Sequence, residues 1–349
     1  MRKYLIDPAL SSFKANLHCH TVLSDGSKTP EEVKRDYIAH GYSAVAFTEH
    51  DKFIDHSDLT GDGFIALNGF ELEYWTELWR GRTCHICFIA KDPENCGLGW
   101  SDPAPDLFKV RLREGEKPFA EGGRLYRALP PQRLYTPEYI NADIAAAKKL
   151  GFFVTYNHPS WSLESWPQYS RYEGYDAMEM NNFNGINTGF EEDNGRVYND
   201  LLGLGHRISC ISTDDNHNRM PDGHEKCDSY GAYTVLKAEE LSYASLIDAL
   251  ERGRFYSAAQ VNPGAGDPPE IKTLWTEDGK ICIETSPVRN ISYISDARPY
   301  KRAAGPIGTT IEGAEFTPGP GTWFRLVVTA MNGNKAYTNA YFMDEVFAK

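Results

Sequence analysis

The chain has no run of eighteen apolar residues, so the sequence predicts no helix that spans a bilayer. It has no block of lysine or arginine, and its formal charge is −13. A balance of that sign argues against gripping long nucleic acid, while a small anionic substrate stays compatible with it, and no membrane partner is expected. The opening residues, Met1-Arg2-Lys3-Tyr4-Leu5-Ile6-Asp7-Pro8, lack the apolar core of a signal peptide, and a cytoplasmic location is the expectation. Internal repeats and low-complexity tracts are missing too. The seven cysteines, at 19, 84, 87, 96, 210, 227 and 282, are odd in number and scattered, which is no disulfide framework. Cys84 and Cys87 match Cys-x-x-Cys, but Arg82–Ala90 reads as a strand. Residues three apart on a strand face opposite sides, so the two thiols are expected to diverge.

What is present is an ordinary globular composition: 349 residues, 41% hydrophobic and 24% charged. That length suits one large domain and a smaller one. Up to residue 260 strand-like and helix-like stretches alternate. Leu17–His20, Ser43–Thr48, Phe64–Tyr74, Arg82–Ala90, Phe152–Tyr156, Asp176–Met180 and Arg207–Thr213 read as strands. Thr29-Pro30-Glu31-Glu32 carries a capping box that opens a helix ending at Gly41. Thr136-Pro137-Glu138 opens a second, and helices follow near Glu192–Gly203 and Leu241–Arg252. The succession predicts an α/β domain over residues 1–260 with a largely parallel, barrel-like sheet. The interval Lys91 to Arg133 has no clear periodicity and reads either as a lid or a contact between copies in a homo-oligomer, or as an ordinary surface excursion. A Pro/Gly-rich linker at 262–269 precedes short alternating segments, which predict a small all-β sandwich over residues 261–349.

The chemistry concentrates in Asn16-Leu17-His18-Cys19-His20, with Asp25 five residues on. Two histidines two apart on a strand share a face, and one ion can touch both. Imidazole with carboxylate suits Zn²⁺, Mn²⁺ or Fe²⁺. Other donors are His50 and His158 at strand ends, Glu71 within an apolar run, His85 in the middle of Arg82–Ala90, and the pair Asp215 and His217. Asp214 competes with Asp215, and the spacing to His217 favours the latter. Histidines 40, 56, 206 and 224 sit in helix or loop contexts and read as structural or exposed.

Together these motifs (His18-x-His20 with Asp25, Thr48-Glu49-His50-Asp51, Glu71, His85, Asn157-His158-Pro159 and Asp215-x-His217) resemble the PHP superfamily of polymerase-associated and histidinol-phosphate phosphatases, over roughly residues 12–260. The resemblance implies a distorted seven-stranded (β/α) barrel holding two or three divalent ions. It implies His18, His20, Glu71 and Asp215 on one ion and Asp25 and His50 on another, with His217 at one of these two. Glu71, His85 and His158 would complete a third. The chain is also similar to two-domain PHP proteins regarded as metal-dependent phosphoesterases, and to a metallohydrolase branch that includes carbamate-ester hydrolases.

Such ions lower the pKa of a bridging water, and the resulting hydroxide attacks an ester. The expected activity is therefore hydrolysis of a small phosphorylated metabolite or nucleotide. The alternatives are hydrolysis of a non-phosphate ester, carbamate or amide, and a non-catalytic, metal-stabilised binding domain. His158 and His217 are the candidates for proton transfer. Arg219, Trp161, Glu179 and Asn181 are candidates for substrate contact, with Glu179, Asn181 and Asn182 alternatively orienting ligands. The aromatic stretch Trp161, Trp166, Tyr169, Tyr172 and Tyr175 reads as a stacking platform or as loop packing.

Overall fold

A computed structural model of the chain describes residues 2–75, 81–93, 126–128 and 133–347. Its elements in chain order are β1 (Lys3–Ile6), β2 (Ser11–Asn16), α1 (Pro30–Ala39), β3 (Ala44–Phe47), β4 (Lys52–Ile54), β5 (Ile65–Trp75), β6 (Thr83–Ala90), β7 (Tyr126–Ala128), α2 (Pro137–Lys149), β8 (Phe152–Tyr156), α3 (Trp166–Tyr169), β9 (Ala177–Asn182), α4 (Phe183–Asn187), α5 (Gly195–Gly203) and β10 (Ser209–Thr213). There follow β11 (Ala232–Ala238), α6 (Tyr243–Glu251), β12 (Phe255–Ala259), β13 (Ile271–Glu277), β14 (Lys280–Val288), β15 (Asn290–Ser295), β16 (Lys301–Ala304), β17 (Ile311–Phe316), β18 (Trp323–Thr329), β19 (Lys335–Thr338), β20 (Tyr341–Phe342) and α7 (Met343–Val346). The lid or contact segment expected between Lys91 and Arg133 lies largely outside the described residues. Among the described residues no helix is long and apolar enough to cross a membrane.

Local signals set the helix starts. Thr29 accepts from Glu32 N while the Glu32 carboxylate accepts from Thr29 N, closing the capping box of α1. The chain leaves α1 through Gly41 at φ 76°, a conformation glycine adopts without steric cost. Thr136 caps α2 more simply, by accepting from Tyr139 N.

The fold is mixed α/β with one large sheet and few helices. Along the sheet the order is β10-β9-β8-β6-β5-β3-β2-β11-β12-β19-β18-β15-β16. Pairs β2/β3, β3/β5, β8/β9 and β9/β10 are parallel, whereas β6 runs antiparallel to both β5 and β8. Past its last residue β10 meets the other end of this run. Cys19 and Asn216 form a parallel bridge, His20 N donates to Asn216 O at 3.0 Å, and Asp215 N donates to His18 O at 3.1 Å. Parallel strands buried on both faces read as continuous apolar runs, and all four residues of β3 and all five of β8 are buried.

A second sheet, β1-β13-β14-β17, packs on the far strands of the first. Leu274, Ile281, Ile283 and Phe316 meet Tyr293, Phe324, Leu326 and Val328 in one apolar cluster. The N-terminal β1 thus lies beside β13, and β12 pairs with β19, so backbone pairing links the early and late parts of the chain.

Candidate metal centre

The strand predicted over Leu17–His20 ends earlier, at Asn16. His18 and His20 lie on the extended residues just beyond it, with Cys19 in the bridge to Asn216 between them. His50 sits three residues past β3 and is bridged in parallel to Glu71 of β5. Because β6 is antiparallel, its third residue, His85, lies toward this same end. His158 follows β8 by two residues, and Asp215 and His217 follow β10. Asp25 is delivered by the tight loop 21–26, in which Gly26 N donates to Thr21 O at 2.9 Å and Ser27 N to His217 O at 2.8 Å. A Cβ on Gly26 would stand 2.5 Å from His20 O, so the close approach itself requires glycine. Two of the donors, His158 (φ 25°) and Asp215 (φ 51°), occupy the left-handed region that non-glycine residues avoid.

These segments bring all nine candidate ligands together. His18 Nε2 lies 3.2 Å from both Glu71 Oε1 and Asp215 Oδ1, and 3.1 Å from His20 Nε2. His20 Nε2 is 3.2 Å from Glu71 Oε2 and 3.1 Å from Asp215 Oδ1. His50 Nδ1 is 3.1 Å from Glu71 Oε2, while His85 Nδ1 and His158 Nε2 are 3.0 and 3.3 Å from Glu71 Oε1. Asp25 Oδ2 is 3.2 Å from His217 Nε2, and its Oδ1 is 3.9 Å from both His20 Nδ1 and His50 Nε2. The donors fall into four groups with mutually close ligand atoms: His20, Asp25, His50 and His217; His18, His158 and Asp215; His50, Glu71 and His85; and His18 and Glu71 with Cys87. His20 therefore stands with Asp25 and His50 as well as with the donors that the resemblance assigned to it.

The donor set fits divalent ions on three counts. Two atoms sharing one ion at about 2.1 Å stand about 3.0–3.4 Å apart, the separation found around Glu71 and Asp215. Glu71 Oε2 and His85 Nε2 are buried and make no hydrogen bond, although imidazole nitrogens crowd the carboxylate oxygen. Finally, the carboxylates favour positive charge at His20 and His85, whereas His50 is disposed to stay a neutral donor. Burial opposes a charged His20, yet Asp215 and Glu71 outweigh it and hold its pKa up at about 9. His85 is likewise raised to about 10, against its burial, by Glu71 and Glu73. Burial and the neighbouring His20 push His50 down to about 3. Burial would raise the Glu71 and Asp215 pKa values, but the imidazoles, His18 foremost, hold both carboxylates well below their ordinary range.

The other candidates are placed as follows. Arg219 is exposed, with Nη2 3.2 Å from Asp25 Oδ2. Trp161 stands edge-on to His85 and His158, ring centres 5.4 and 5.0 Å away. Glu179 and Asn181 are fully buried; the Asn181 amide donates to Glu192 O at 2.9 Å and accepts from Ser212 Oγ at 3.0 Å, so it is engaged within the protein. Tyr169, Tyr172 and Tyr175 are buried in the core while Trp166 is exposed. Tyr135, Tyr156 and Tyr172 all donate to Glu164, which ties down the loop bearing His158 and Trp161. Of the remaining histidines, His40 stacks on Tyr230, His56 lies against Phe47 and His206 stacks on Tyr175, all apart from the cluster.

Cys84 and Cys87 do diverge. Cys84 lies by Glu164 and Tyr172, and Cys87 lies beneath His18 and Glu71, accepting from Asn157 Nδ2 at 2.8 Å. Sequence reasoning missed Cys87 as a neighbour of the cluster. It also missed Glu49, fully buried and accepting from Thr21 N, Thr21 Oγ1 and Ser24 Oγ, which braces the loop carrying Asp25. A carboxylate beside His50 in a buried run was the available signal.

No family model matches the chain, and no curated protein matches it. Solved structures similar to it include a two-domain protein from Bacteroides vulgatus described as containing a predicted PHP-like metal-dependent phosphoesterase (16% identity, 95% of this chain and 96% of that one, TM-score 0.46). Others are a candidate metal-dependent phosphoesterase from Bifidobacterium adolescentis (18%, 62% and 93%, 0.38) and an amidohydrolase from Chromobacterium violaceum with bound sulfate and no metal (15%, 58% and 87%, 0.34). Support for a metal centre in this chain comes from its own donor set.

Proposed function

We propose that the protein is a metal-dependent phosphoesterase that hydrolyses a small phosphorylated metabolite or nucleotide. The observation that carries this reading is the convergence of six imidazoles and three carboxylates, donor atoms about 3 Å apart, at one end of the strand run β2-β3-β5-β6-β8-β9-β10. We read that run, with its ends joined at Cys19 and Asn216, as a distorted seven-stranded barrel, and the C-terminal sheets as a small β-sandwich of unassigned role.

His18, His20, Asp25, His50, Glu71, His85, His158, Asp215 and His217 would hold two or three Zn²⁺, Mn²⁺ or Fe²⁺ ions. Bound there, divalent ions supply a water nucleophile at neutral pH and offset the charge that builds on the phosphoryl oxygens. The chain's own residues do the rest. Glu71 reaches imidazoles from four segments and keeps the donors at fixed separation. Trp161 walls the His85–His158 side with an apolar face, which excludes water and packs a flat leaving group. Arg219, free to leave Asp25, offers a bidentate fork to a phosphoryl group entering at the mouth.

The test pairs elemental mass spectrometry of the purified protein with turnover of bis-p-nitrophenyl phosphate before and after chelation. Two or three metals per chain with chelator-sensitive turnover is the expected result. Bound metals with hydrolysis of carboxylic or carbamate esters, and none of phosphate esters, would replace the phosphoesterase with the non-phosphate hydrolase. Bound metals without any turnover would leave a binding domain. A folded, metal-supplemented protein with one metal or none would overturn the nine-ligand site.

A further inference from the structure

Beneath the ligands lies one carboxylate that serves three of the segments carrying them. Glu179 of β9 is fully buried. Its Oε1 accepts from His18 Nδ1 at 2.8 Å and Thr213 Oγ1 at 2.6 Å, and its Oε2 accepts from His158 N at 2.8 Å and Asn182 Nδ2 at 3.1 Å. Asn182 Nδ2 also reaches Asp215 Oδ2 at 3.1 Å. Four donors fill the four acceptor positions of an ionised carboxylate, which leaves nothing to touch a substrate. Core packing does not explain a carboxylate here, because an apolar side chain would fill the space without the desolvation cost.

We propose that Glu179 is the positioning residue of the metal centre, fixing His18, His158 and, through Asn182, Asp215. The proposal rests on the metal reading above. A carboxylate only accepts, so the proton of a neutral His18 ring lies on Nδ1. That leaves the Nε2 lone pair directed toward Glu71, Asp215 and His20, the tautomer a metal ion needs. The bond from His158 N holds that residue at φ 25°, and the Asn182 amide holds the Asp215 carboxylate from the side away from His18 and His20. One buried side chain thereby sets the spacing of ligands contributed by β2, β8 and β10.

The test is Glu179→Gln in the full-length protein, stripped by chelation and titrated with Co²⁺. Calorimetry gives the affinity and visible absorption reports the ligand field. A glutamine keeps the shape but sets its own N–H groups against the donors His158 N and Asn182 Nδ2, or against His18 Nδ1. The expected result is about 10- to 100-fold weaker binding at one site of the set, with an altered absorption band. Wild-type affinity within twofold and an unchanged band would overturn the proposal. If Glu179→Gln fails to fold, Thr213→Val, which removes one donor to Glu179 Oε1, decides instead: weaker Co²⁺ binding supports the role, and wild-type binding overturns it. Absence of Co²⁺ uptake by the wild-type protein would overturn the metal reading itself, and the positioning role with it.

Discussion

Asp214 and Asp215 leave the end of β10 in opposite directions. Asp215 enters the cluster. Asp214 turns back and accepts from Tyr37 OH at 2.8 Å and from the backbone of Tyr230, Gly231 and Ala232 at 2.8–3.0 Å, tying the start of β11 to α1. Alternation favours Asp215 through its two-residue spacing to His217; in the structure Asp215 does lie among the donors, but at φ 51° and beyond the end of β10 rather than on a strand. The same alternation could not reveal Glu179 as a support rather than a substrate contact, because only the pairing of β9 with β10 sets it under His18. Another single residue gives a pH-dependent prediction away from the cluster. Burial raises the Asp143 pKa to about 6, against the hydrogen bond from Tyr74 OH at 3.0 Å and the charge of Arg133. A folded value above the unfolded 3.8 means the folded state prefers the proton, so this stabilisation is present below about pH 4 and lost as pH rises through 6. Asp143→Asn is therefore expected to raise Tm by about 2 °C at pH 8 and to leave it unchanged at pH 4, read by circular dichroism melts. An equal shift at both pH values would contradict the titration.

At the scale of elements, much was readable from local chemistry. The capping box at Thr29, the Thr136 cap and the apolar runs of β3 and β8 fall where expected, because each is decided within a few residues. Strand direction was not readable: alternation looks the same from either end, so the antiparallel course of β6 emerges only from pairing with β5 and β8. The loops beyond the strand ends carry the site's precision, among them 21–26, which bears Asp25. Gly26→Ala would press a methyl group on the His20 carbonyl and the Thr21 backbone. The expected outcome is a shift of Asp25, with metal uptake weakened about 10-fold or more while far-UV circular dichroism stays native. Wild-type metal content and turnover in this variant would show that the loop yields without moving its carboxylate.

Across the whole molecule, the C-terminal segment braces the strand that leads to Asp215 and His217. Asn339, nearly fully buried, accepts from Cys210 N at 2.9 Å and donates to Gly253 O and Phe255 O at 3.0 and 3.2 Å. Tyr198 OH accepts from Ala340 N at 3.0 Å, and Arg325 reaches Asn199 at 2.9 Å. Asn339→Ala would strand two buried backbone groups and one half-buried one, and is expected to cost about 2–4 kcal/mol in denaturant unfolding, with metal stoichiometry unchanged in the folded fraction. A loss under about 0.5 kcal/mol would mean that water replaces the amide. None of this was legible in the sequence, since β1 joining β13 and β12 joining β19 are decided by distant apolar faces rather than by local pattern. The bond between Cys210 and Asn339 also sets a timetable for biosynthesis. The partners are 129 residues apart, so at 5–20 residues per second a growing chain waits roughly 6–26 s between making one and the other. Throughout that interval β10 has emerged without its final support, and chaperones have a defined window in which to shield it.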